Sequence, residues 1–193
     1  MKNWIDCSKI NWIATLLLVV ALTSCGGDEA PEAPTVDEVT RAELEARLIP
    51  ELSPAQDRAG QQRNDIINRA IDQAYDIIPA PEGYFYEILE PGEYNLLAEG
   101  DIVTAHYRGQ FLDGTIFDDS RKRGEPLRFT VGSLIEAWNL ALLRVRPGGA
   151  IRILSPSNLA YGAEGLVGPR GDTLVPAHTV LEFIIDEINI HEE

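Results

Sequence analysis

The chain has 193 residues, with 31 Asp or Glu against 16 Lys or Arg, for a formal net charge of −15. That balance excludes nucleic acid as a partner, because neutralising phosphates needs clustered cations. The 45% of apolar residues suffice for one sizeable core, and the length allows one ordinary domain plus extra sequence rather than two large domains.

The N-terminus comes first. Lys2 and Lys9 flank the approach to an apolar run, Trp12-Ile-Ala-Thr-Leu-Leu-Leu-Val-Val-Ala-Leu22. The run is short for a membrane span and has the length of a signal-peptide core. It ends in Leu22-Thr-Ser-Cys25-Gly-Gly, which resembles a bacterial lipobox, where the cysteine becomes the lipidated first residue of the mature chain. Residues 1–24 are therefore expected to be a lipoprotein signal peptide, and Cys25 the lipidation site. The alternative is a short anchor that is never cleaved. Cys7 leaves with the leader, so no thiol remains for a disulfide, a metal or a nucleophile. The expected location is the cell envelope. Gly26 after the cysteine points to the outer membrane, with either face open.

Residues 25–52 are acidic and rich in Pro and Ala. Such sequence buries too little apolar surface to offset ordering and reads as a flexible, disordered tether, with a transient helix over 38–48. Ser53-Pro54 reads as an N-cap followed by Pro at the first helical position, opening a helix over about 54–77 within a segment 53–79. Ile66, Ile67, Ala70, Ile71, Ala74, Tyr75 and Ile78 recur at helical spacing. This stripe suits a dimerising or substrate-cradling helix; a helix packed on its own domain, or a stiff spacer, is the preferred reading. Pro79-Ala-Pro81 ends it.

Residues 82–193 read as one domain. Residues 83–90 are a strand, and Ile102 to Gly109 alternate at period two with β-branched and aromatic residues. Asp113-Gly114 is a hairpin signal that brings Phe117 and Asp118 back towards Tyr107. After a charged loop, Leu127 to Val131 alternate as a strand. Gly132-Ser133 caps a short helix from Leu134 to about Leu143. Ala150 to Leu154 is a strand, Ser157 to Gly162 a helical turn, Ala163 to Thr173 a mobile Gly-rich loop, and Thr179 to Ile190 the last strand. The fold class is α+β: an antiparallel twisted sheet wrapped around one short helix, preceded by an N-terminal helix and the tether.

Tyr and Phe on strands are usually core, and an Asp after a strand is usually a turn residue. The order of several motifs says more. Val103-Thr-Ala-His-Tyr-Arg-Gly109 is followed by Asp113-Gly-Thr-Ile-Phe-Asp-Asp-Ser120, then Pro126-Leu-Arg-Phe129, Ile135-Glu-Ala-Trp138, Leu159-Ala-Tyr-Gly162 and Val175-Pro-Ala-His-Thr-Val-Leu-Glu-Phe183. Over roughly 82–190 this series resembles the FKBP family of peptidyl-prolyl cis-trans isomerases.

The resemblance implies a fold, an activity and a site. Trp138 forms the pocket floor, and Tyr107, Phe117 and Phe183 form walls around a proline ring. Leu127, Phe129 and Leu134 line the same region. Ile135 offers its backbone N–H, Tyr161 donates its hydroxyl to a substrate carbonyl, and Asp118 is a polar partner at the rim, held by Arg123 or Tyr107. No cofactor and no metal is implied. His106, His178 and His191 have no metal-ligand spacing. The implied partners are unfolded or extended proline-containing polypeptides, macrolide inhibitors such as rapamycin, and the membrane through Cys25. The rival is a non-catalytic proline-peptide-binding chaperone or scaffold lipoprotein. The chain departs from the family pattern at Ala137, which replaces a Gly, at Ala177, which replaces a Pro, and in a longer segment over 163–173.

Overall fold

The computed structural model of the chain describes residues 36–191, with side chains from residue 40 onward. The expected leader over 1–24 and the lipidation site Cys25 lie outside the described residues.

Strand β3 (Ile102–Phe111) is the centre of the sheet. One edge pairs with β9 (Leu181–His191) along nearly its whole length. The other edge is divided: β5 (Leu127–Thr130) pairs with Ile102 to Ala105, and β4 (Ile116–Asp119) pairs with Arg108 to Gln110. Beyond β9 the sheet continues through β6 (Ala150–Ser155) and β2 (Phe85–Glu90) to the two-residue β1 (Ile78–Pro79), every pairing being antiparallel. Register slips once between β3 and β9, where Ala105 faces both Glu187 and Ile188. Glu187 turns the bulge with a φ of 50°.

Period-two alternation gives the sheet two different faces. Ile151, Ile153, Phe183 and Ile185 pack into one buried cluster with Trp138, while Phe85 and Leu154 enter a second cluster on the opposite side. The first face is covered by α4 (Glu136–Leu142), which buries Ala137, Trp138, Ala141 and Leu142. Gly132-Ser133 does not cap this helix as the sequence suggested. The Ser133 hydroxyl donates to Thr130 O at 2.6 Å, and α4 starts after Ile135. Asn139 secures that start, accepting from Leu134 N at 3.0 Å and donating to Leu134 O at 2.8 Å. Ala137 is fully buried in α4, and its methyl fits there.

The second face is covered by α2 (Arg58–Asp72). Ile66, Ile67 and Ala70 bury against Phe85, Leu154 and Val180, so the apolar stripe packs on its own sheet. The helix is shorter than the expected 54–77. Asp57, not Ser53, is the cap, accepting from Gly60 N at 2.8 Å. Ser53 instead exchanges backbone hydrogen bonds with the Asn64 side chain. Helix α1 (Val36–Leu48) and a 3-10 turn (Ile49–Glu51) precede it. Leu44 and Leu48 are buried, so the described part of the expected tether is ordered helix. Glu182 of β9 is fully buried under α2 and meets Arg69 at 3.5 Å and Arg152 at 3.2 Å.

The segment expected to be a mobile loop is a hairpin of β7 (Leu166–Val167) and β8 (Thr173–Val175). Its entry requires glycine. Gly165 has a φ of 71°, and a Cβ there would lie 2.3 Å from Val175 O.

Candidate active site

The divided edge of β3 makes the site. Between its pairings with β5 and β4, His106 and Tyr107 have no strand neighbour on that side. The buried Ser120 substitutes for one. Its hydroxyl accepts from Tyr107 N at 2.9 Å and donates to Tyr107 O at 3.2 Å. His106 Nδ1 is also within hydrogen-bond distance of this hydroxyl, at 2.9 Å. Asp119 begins the short helix α3 (Ser120–Arg123) by accepting from Arg121 N at 2.9 Å. The chain thus leaves the sheet beside Tyr107 without orphaning its backbone.

The opening is a cavity of about 140 Å³, which seats one ring of a larger ligand and leaves the rest at the rim. Trp138 lies at its base, with ring centroids 5.2 Å from Tyr107 and 5.5 Å from Phe183, both edge-on. Phe117 packs edge-on against Phe183 at 6.0 Å. Its ring covers Gly109, where a Cβ would come within 2.6 Å of Phe117 Cζ. Leu127, Leu134 and Ile135 complete the apolar lining. Phe129 does not line the cavity. It is buried behind Trp138, 6.0 Å centroid to centroid, which corrects its expected place in the lining. It shares a strand face with Leu127 but lies two residues deeper.

Polar groups sit at the rim. The Tyr107 hydroxyl donates to Asp118 Oδ2 at 2.5 Å and accepts from Arg123 Nη2 at 2.8 Å. Arg123 also pairs with Asp118 Oδ1, and its guanidinium lies 5.2 Å from the Tyr107 ring centroid. Both Arg123 and Tyr107 hold Asp118, where the sequence offered one or the other. Burial, then the hydrogen bond to the carboxylate, push the Tyr107 phenol up to about 12. The Tyr161 phenol is also raised, first by burial and then by the negative charge of Asp118. Among the described residues nothing hydrogen-bonds to the Tyr161 hydroxyl, nor to the Ile135 amide at the start of α4. Two donors and one carboxylate therefore border an aromatic pocket.

Every nominated pocket residue except Phe129 is brought together here. Two others escaped the sequence. Ser120 reads as the start of a charged loop, and Gly109 as one more small residue in a strand. Only their neighbours in three dimensions give them a role. Among the described residues, no cluster of His, Cys, Asp or Glu could hold a metal ion.

A model of the family described as FKBP-type peptidyl-prolyl cis-trans isomerase matches residues 94–187, which include every residue of the pocket. A protein of Buchnera aphidicola named FKBP-type peptidyl-prolyl cis-trans isomerase FkpA is 35% identical over 111 residues, 58% of this chain and 42% of its own length. The outer membrane protein MIP of Legionella longbeachae is 36% identical over 101 residues, covering 51% of this chain and 43% of its own. The chain thus spans about two fifths of the length of these curated relatives. The crystal structure of AtFKBP13 superposes with a TM-score of 0.53 at 32% identity, and the match takes in 57% of this chain and 95% of that one. A match at 32% identity across 95% of a solved domain, with the family model falling on the residues that build the pocket, places this chain in the family of FKBP-type peptidyl-prolyl cis-trans isomerases.

Proposed function

We propose that the chain is a peptidyl-prolyl cis-trans isomerase that assists the folding of cell-envelope proteins and is anchored to the membrane through a lipidated Cys25. The observation that carries the reading is the small aromatic pocket over Trp138 with unpaired donors at its rim. Rotation about an X–Pro bond faces a barrier of about 18–20 kcal/mol and breaks no covalent bond. The planar imide is stabilised by resonance that separates charge. A dry apolar pocket disfavours that charge separation and so favours the twisted state.

Each side chain then has a task. Trp138, Tyr107, Phe117 and Phe183 enclose the proline ring, with Leu127 and Leu134 closing the sides. The Tyr161 hydroxyl and the Ile135 N–H donate to substrate carbonyls, gripping the chain on either side of the rotating bond. Asp118, fixed by Tyr107 and Arg123, accepts from the substrate at the rim. Tyr107 does not act as the donor, because its proton is already committed to Asp118. Proline-containing unfolded segments are the substrate class, and a macrolide such as rapamycin would compete for the same pocket.

The test is NMR exchange on a short peptide containing Leu-Pro or Phe-Pro. Isomerisation faster than the uncatalysed rate and blocked by rapamycin is the expected result. Saturable peptide shifts without acceleration would leave a non-catalytic binder or scaffold instead. The anchor rests on Leu22-Thr-Ser-Cys25, and the outer-membrane name of the Legionella relative agrees with it. Cys25→Ser should move the protein from the membrane fraction to the soluble one; retention in the membrane would reject lipidation at Cys25.

A further inference from the structure

Helix α2 lies outside the residues that match the family, yet one of its side chains reaches the backbone on either side of the segment that carries Tyr161. Gln62 is 7% exposed. Its Oε1 accepts two hydrogen bonds from Ser157, from N at 3.0 Å and from Oγ at 3.1 Å. Its Nε2 donates to His178 O at 2.7 Å. Ser157 O in turn accepts from Gly162 N at 2.7 Å, and Gly162 O accepts from His178 N at 2.7 Å. The bonds close a circuit, Gln62 to Ser157 to Gly162 to His178 and back. Gly162 is the residue after Tyr161. His178 holds a φ of 60°, a left-handed conformation that a non-glycine residue keeps where its surroundings fix it.

We propose that Gln62 is a positioning residue for Tyr161, so that α2 is a working part of the pocket as well as a cover for the sheet. The proposal rests on the isomerase reading above. The Tyr161 hydroxyl has no hydrogen-bond partner of its own among the described residues, so its place in the pocket is set by the packing of its ring and by the backbone that carries it. That backbone is held at Ser157 and Gly162; Gly162 bonds directly to His178, and Gln62 is the side chain that ties Ser157 to the same segment at His178. The chemistry of the contact asks for an amide. Ser157 offers only protons here and His178 only a carbonyl, so one acceptor and one donor are needed at one buried point. A carboxylate of the same shape would accept from Ser157 but would oppose the His178 carbonyl, acceptor against acceptor.

Three variants of the full chain decide it. Gln62→Glu is expected to lower kcat/KM about tenfold near pH 7.5, through loss of one buried hydrogen bond and the repulsion it leaves. The ratio to wild type should recover as the pH falls towards about 5, where a protonated carboxyl regains a donor for His178. Gln62→Met, similar in shape and unable to hydrogen-bond, should lose activity to a similar degree with no recovery in acid, and it keeps the test open if the Glu variant does not fold. Ile66→Val should weaken the α2 packing and lower Tm while leaving kcat/KM at the wild-type value.

Alongside activity, NMR would follow amide exchange at Gly162 and His178 and the ring resonances of Tyr161. Both should change in the Gln62 variants and not in Ile66→Val. The proposal is overturned if the Gln62 variants keep wild-type kcat/KM and wild-type Tyr161 resonances, or if Ile66→Val is equally impaired. A wild-type chain with no isomerase activity would reject the isomerase reading by itself. The exchange and ring-resonance data would then still say whether Gln62 holds the loop.

Discussion

Gly109 shows how closely a single residue is tied to the pocket. Its missing Cβ is the space on which the Phe117 ring rests, so Gly109→Ala drives that ring towards the cavity. Overpacking of this kind costs about 1–3 kcal/mol, and peptide titration should show weaker binding with an unfolding midpoint that falls as well. Tyr161→Phe removes a free donor and leaves the ring, so kcat/KM should fall about tenfold with little change in stability. An undiminished rate would mean that the hydroxyl does not grip the substrate. Tyr107 makes a different prediction. Its folded phenol is raised from 10.0 to about 12, so the fold favours the protonated form. The stability this contributes is fully present below pH 10 and is lost as the pH rises through about 12. Wild type should therefore lose stability across that window more steeply than Tyr107→Phe, measured by urea unfolding at several pH values.

Among the elements, the strands and the pocket were legible in the sequence, while the covering helices were legible only in part. Period-two alternation identifies β3 and β9, and ordered motifs identify the residues facing the cavity. Several misreadings share one physical origin: the partner lay beyond the local stretch being read. Leu44 and Leu48 sit in an acidic stretch with no local sign of a core, yet both are buried, and Leu48 joins the second apolar layer that Ile66, Phe85 and Leu154 bring to that side. Ser53 looks like a cap, but Asn64 takes its backbone and leaves capping to Asp57. The Gly-rich stretch after Tyr161 closes as a hairpin because Gly165 admits Val175 at close range. A fragment beginning at residue 53 would lack Leu44 and Leu48. Losing one large buried side chain costs about 2–5 kcal/mol, so such a fragment should unfold at clearly lower urea than one beginning at residue 36. Equal midpoints would mean that α1 adds nothing to the core.

For the whole molecule the dominant quantity is the net charge of −15. Like charges repel in any compact state, and salt screens them over a length that shrinks from about 30 Å at 0.01 M to about 8 Å at 0.15 M. Thermal stability should therefore rise with moderate sodium chloride. A fall would mean that the ion pairs outweigh the net repulsion. The pairs at Glu182 are sheltered and should respond little, since burial shields them from counterions.

The two faces of β9 have an evolutionary consequence. Phe183 forms part of the pocket, and the next residue back, Glu182, anchors α2 on the other side. Gaining or losing one residue just before them would exchange a ring for a carboxylate in the site and undo both layers at once. The bulge at Glu187 already holds one residue more than its partner strand. Length changes in this strand can accumulate there and nowhere nearer the pocket. A scan of single-residue insertions along β9 should return functional proteins only from that end.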